Sequence, residues 1–115
     1  MPFLRREKDQ TTLLSDLQIA RSLGARLKGL LFTKSLDDHQ GLWIHRCNSI
    51  HTFLMGYAID CIFLDQEFRI QQLRSEVKPS RVLFPVWGAN SVIETKAGNI
   101  QRWNLTIGEK LYVGT

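Results

Sequence analysis

The stretch "HRCNSIHTFLMGYAIDCIFLD", His45 to Asp65, gathers two histidines, two cysteines, a methionine and two aspartates. His45, Cys47 and His51 are the right donor types for zinc, and on one continuous strand their odd-numbered side chains would share a face. The spacing lacks the Cys-x-x-Cys or His-Glu-x-x-His pairing that makes a metal motif specific, so packing and hydrogen bonding are the expected roles. Covalent chemistry has one candidate nucleophile, Cys47, with His45 or His51 as its base. No third group that would orient the imidazole stands out. Cys61 lies in an apolar run, where a thiol behaves as a small hydrophobe. Neither cysteine has a closely spaced partner or an extracellular context, so reduced thiols are expected rather than a structural disulfide.

Asp60 poses a sharper problem. An ionised carboxylate inside "AIDCIFLD" is costly to bury unless backbone amides or a cation satisfy it. The aromatic residues Trp43, Phe53, Tyr57, Trp87 and Trp103 either fill a core or, beside polar groups, hold a sugar or an apolar small molecule. The serines occur in no nucleophile-elbow context, and the glycines form neither a phosphate loop nor a dinucleotide fingerprint. No cofactor is expected.

The elements that must position these groups follow from pattern. At 115 residues, with 43% hydrophobic and 23% charged residues, the chain reads as one soluble domain, 1–115, with 1–10 a loosely attached N-terminal segment. No run of about 18 apolar residues suggests a membrane span, and no signal-peptide core is present, so a cytoplasmic protein is expected. The formal charge of +4 invites a nucleic-acid reading, but Arg5, Arg6 and Lys8 alternate with Glu7 and Asp9 and no basic tract forms. Nucleic-acid binding is therefore ranked third. Leu13, Leu17 and Ile19 fit a strand, although Ser15 and Gln18 also fit a capping box, and Ile19, Leu23, Leu27, Leu30 and Leu31 fall at helical spacing, which predicts a strand followed by a short helix ending near Phe32. "GLWIHR", "SIHTFLM" and "AIDCIFLD" read as core strands, the last covered on both faces. "DQEF" predicts a hairpin connection to a half-exposed strand through Leu73. Pro79 and Pro85 leave a loop with a short edge strand, followed by a strand at Ser91 to Thr95, one helical turn through Trp103 and a closing strand at Lys110 to Val113.

The order Arg26, "GLL" at Gly29 to Leu31, "HTFLM" at His51 to Met55, "IDCIFLD" at Ile59 to Asp65 and "VIETKAGNI" at Val92 to Ile100 resembles the family known as domain of unknown function 192. The resemblance spans Leu17 to Val113. It departs from the family's pattern at Leu31, where the family tends to methionine, at Ala58, where a proline is usual, and at Leu54, where a glycine is common. The resemblance implies a compact, β-rich, barrel-like α+β fold and no particular activity, and it marks Arg26 as a partner for Asp60.

Together these readings place Arg26, Trp43, His51, Met55, Asp60 and Glu94 around one cleft. The leading expectation is non-catalytic binding of a small molecule or protein partner by a monomer or weak dimer. The alternative is a metal- or cysteine-dependent hydrolase using Cys47, His51 and Asp60.

Overall fold

The computed structural model describes residues 2–21, 36–45, 50–51, 56–83 and 85–115, the pair 50–51 as backbone. The fold is β-rich α+β. In chain order the strands are β1 Phe3–Arg6, β2 Thr12–Leu14, β3 Asp16–Ala20, β4 Gln40–His45, β5 Ile50–His51, β6 Ile59–Leu64, β7 Ile70–Val77, β8 Val82–Leu83 and β9 Ser91–Lys96, then helix α1 Asn99–Trp103 and β10 Leu111–Gly114. Three sheets result: β10-β1-β2, the five-stranded β3-β4-β9-β6-β7, and the pair β5-β8.

The five-stranded sheet organises the molecule because both its faces are covered. β6 lies between β9 and β7, and every one of its residues is buried, which is why its sequence is apolar without alternation. Alternation reappears in which cluster each side chain joins. Leu42, Ile44, Cys61, Phe63, Val77 and Val92 pack on one face. Leu17, Ile62, Leu64, Ile70 and Ile93 pack on the other, beneath Leu4, Leu14 and Leu111 of the three-stranded sheet and Ile100 of α1. Gly41 permits this layering. A Cβ there would lie 2.4 Å from the Leu14 Cδ1 and 3.1 Å from the Glu94 carbonyl oxygen, so a bare Cα lets β2 close onto β4.

The expected strands at β4, β6, β7, β9 and β10, the short edge strand at β8 and the helical turn at α1 all form, as does the "DQEF" connection between antiparallel β6 and β7. The helix expected to end near Phe32 lies outside the described residues. The N-terminal segment requires a correction. Rather than being loosely attached, β1 is the central strand of its sheet, with Leu4 fully buried. Arg6, also buried, donates from Nε and Nη2 to Glu109 at 2.6 and 2.8 Å, and from Nη1 to the Trp103 carbonyl. Hydrogen bonds to Glu109 hold the guanidinium above its ordinary pKa and outweigh the opposing effect of burial. A charged side chain facing inward hides the alternation that would reveal this strand.

Candidate functional site

Asp60 is fully buried on the face of the sheet beneath α1. Its Oδ1 accepts the Glu76 N–H at 2.7 Å, and its Oδ2 accepts the Gly98 and Ile100 N–H groups at 3.1 and 2.8 Å. Each donor is there for a local reason. The β6–β7 register slips between Ile59 and Cys61, so β7 bulges opposite Asp60, and Glu76 adopts a left-handed φ of 52° that turns its amide inward. Gly98, at φ 99°, precedes α1 without a side-chain cap, and no acid occupies the first helical turn. Asp60 therefore caps that helix from another strand and pins the β7 bulge at the same time. Of the two roles open to this carboxylate, backbone amides are observed. Arg26, the other expected partner, lies outside the described residues.

The register separates the remaining candidates. Asp60 stands opposite Thr95 on β9, and Cys61 stands opposite Glu94. Asp60 and Glu94 consequently project from opposite faces of one sheet, and a single cleft cannot hold both. Glu94, fully buried, shares its face with Leu42 and Cys61. Trp43 shares the face of Asp60 but is set two strands away, with its ring centroid 3.9 Å from that of His45 and 5.5 Å from that of Phe68. The segment considered as one strand is divided: β4 ends at His45, and His51 belongs to β5, which pairs with Val82 in a different sheet. Cys47 and Met55 lie outside the described residues, as does the side chain of His51. Among the described residues no three His, Cys, Asp or Glu side chains group to hold a metal ion.

Three surface recesses are lined by described residues. One, of about 190 Å³, is lined by Leu36, Tyr57, Ala58, Lys96 and Ala97. It falls below the ~300 Å³ at which ligand pockets usually begin. A second, of about 450 Å³, includes Lys8, Arg69 and Lys110, but Glu7 and Glu109 line it too. Lys110 lies 3.6 Å from Glu7, so these charges offset one another.

The third recess, about 400 Å³, is lined by Gln72 and Arg74 of β7, Val82 and Leu83 of β8, and Pro85 and Trp87 of the chain beyond. Trp87 is 90% exposed. The turn presenting it is closed by its own hydrogen bonds. Ala89 donates its N–H to the Val86 carbonyl at 3.1 Å, and Gly88 at φ 88° takes the left-handed third position of a type II turn, which puts Trp87 at the second. Asn90 then donates to the Leu64 carbonyl at 2.7 Å, and Val86 and Ala89 pack onto the apolar cluster. Sequence reasoning named Trp87 only among the aromatic residues. The signal that could have singled it out is "PVWGAN", a turn with its tryptophan at the tip.

The domain of unknown function 192 family, described as an uncharacterized ACR, matches residues 4–113. A UPF0127 protein of Thermococcus sibiricus is 34% identical over 83% of this chain, which spans 64% of that relative's length. Another, from Pyrococcus horikoshii, is 33% identical, with 85% of this chain and 83% of the relative covered. Two solved structures share the fold. A protein of unknown function from Novosphingobium aromaticivorans has a TM-score of 0.80 at 19% identity, covering 96% of this chain and 82% of its own. One from Sinorhizobium meliloti, described as a candidate transcription regulator, has a TM-score of 0.77 at 17% identity, covering 97% and 91%. At these identities the two structures speak to the fold alone. Among the described residues no helix is long and apolar enough to cross a membrane. A family match over nearly the whole chain, with two relatives above 30% identity, makes this chain a member of the domain of unknown function 192 family.

Proposed function

We propose that the protein is a non-catalytic binding module that docks a protein partner through the Trp87 turn and the groove beside it. One observation carries this reading: an indole left 90% exposed on a turn closed by its own hydrogen bonds. A tryptophan buries about 150–250 Å² in a core or interface, worth roughly 4–6 kcal/mol at 25 cal/mol per Å². That contribution is unused in the isolated chain. Fixing the turn beforehand also removes much of the ordering cost that would oppose association. A ring this exposed gives its recess only a small part of its surface, so a small molecule seated there would cover only part of it, whereas a partner with a receiving pocket would cover both faces. Val82, 58% exposed in the same groove, extends the apolar area.

A hydrolase reading has less to work with. Among the described residues Asp60 bonds to backbone amides, and its carboxylate is shielded from solvent, so it has no reach toward a substrate. The test is photo-crosslinking in the cells that express the protein, with a photoreactive residue at position 87 and a control at position 107, where Ile107 is 62% exposed. A discrete peptide adduct from position 87 alone is expected. Equal labelling from both positions would overturn the reading.

A further inference from the structure

We propose that the partner binds as an extended, acidic peptide segment that adds a strand to the outer edge of β7. This rests on the Trp87 docking reading and specifies its occupant. β7 ends the order of the five-stranded sheet, so on its outer side no strand neighbours it among the described residues. Its start is already covered by the chain itself. Ile70 donates to the Glu109 carbonyl at 2.9 Å, its own carbonyl accepts the Gly108 N–H at 2.8 Å, and Arg69 bridges to Lys110 in antiparallel fashion. That short pairing shows the outer edge in use as a ladder, and among the described residues it stops after Ile70. From there β7 runs on to Val77, with Arg74, Ser75 and Glu76 exposed. The groove beside this stretch is lined by Gln71, Gln72 and Arg74 of β7, by Val82 and Leu83 of β8, and by Trp87. An unpaired edge recruits strands unless it is blocked; the register slips on either side leave Gln72 to Arg74 as the regular stretch of β7, and it carries no lysine or proline.

Charge narrows the choice of strand. Arg74 is the one charged residue lining the groove among the described residues, and no carboxylate lines it. An acidic side chain on the incoming strand, opposite Arg74, would gain a cross-strand pair, whereas a basic one would meet like charge. An apolar side chain further along would lie against Val82 and Trp87. Main-chain hydrogen bonds would supply affinity and these two side-chain positions selectivity.

The test is selection of a displayed random dodecapeptide library on the folded protein, with Trp87→Ala and Arg74→Glu proteins selected in parallel. Acidic, β-branched peptides are expected from the unmodified protein, at least tenfold weaker on both variants. Bound peptide should protect β7 amides after residue 71 from hydrogen exchange, and N-methylation of alternate peptide residues should abolish binding. Peptides that need Trp87 yet tolerate N-methylation would overturn strand addition while leaving the docking reading intact. Peptides indifferent to Trp87 would overturn both. Preferential, salt-sensitive binding of single-stranded oligonucleotides at Trp87 would overturn the peptide assignment in favour of nucleic acid.

Discussion

Asp60 and Trp87 invert the usual distribution of residues. The carboxylate is fully buried and the indole is 90% exposed, each against its chemical preference. What differs is whether the anomaly is answered inside the molecule. Asp60 meets three backbone N–H groups and in return fixes a bulge, a turn and a helix N-terminus. Trp87 sits on a turn whose own bonds are satisfied, and its ring is left to solvent. A residue out of place but fully answered from within has a structural job; one left unanswered points outward.

Breaking the first side of this comparison gives the largest expected effect. Asp60→Ala leaves three amides without their acceptor and should destabilise the protein by several kcal/mol, about 3–5, read from the denaturant midpoint. An unchanged midpoint would remove Asp60 from its structural role. Arg6→Ala strands the buried Glu109 carboxylate and should cost about 3 kcal/mol in the same assay, with loss of exchange protection beginning in β1. Gly41→Ala drives a methyl into Leu14 and should cost about 1–3 kcal/mol, least if Leu14 can rotate away. Trp87→Ala, by contrast, should alter stability by less than about 0.5 kcal/mol while weakening partner binding at least tenfold.

The smallest effect belongs to the surface. Asp38, beside Lys96 at 3.0 Å and Arg102 at 3.1 Å, has its pKa lowered below the ordinary carboxylate value, chiefly by the hydrogen bond to Lys96. A depressed folded pKa means that its stabilising contribution is complete above the unfolded value and is lost as pH falls through the folded one. Asp38→Asn should therefore flatten the acid limb of the stability curve slightly, and added salt should erase the difference.

Strands were legible wherever burial and pattern agreed. β6, covered on both faces, announced itself as an uninterrupted apolar run, and Asp60 within it raised the right question because a buried charge demands a partner. The answer was not legible, since Glu76, Gly98 and Ile100 approach Asp60 only through a register slip and a long-range turn. β1 was missed because its inward Arg6 is satisfied by Glu109, a pairing between opposite ends of the chain. Grouping Asp60 with Glu94 failed for a different reason: proximity in space was inferred without the strand register that sends them to opposite faces. Trp87 stood out only as one aromatic residue among several, because exposure depends on what folds over it.

The most direct measurement is equilibrium denaturation of Trp87→Ala beside the unmodified protein. The account predicts the same midpoint and the same slope, because the indole contributes nothing to the fold of the isolated chain. A lowered midpoint equivalent to a loss of more than about 1 kcal/mol would show the ring packed within the molecule, and would contradict the division between Asp60 and Trp87.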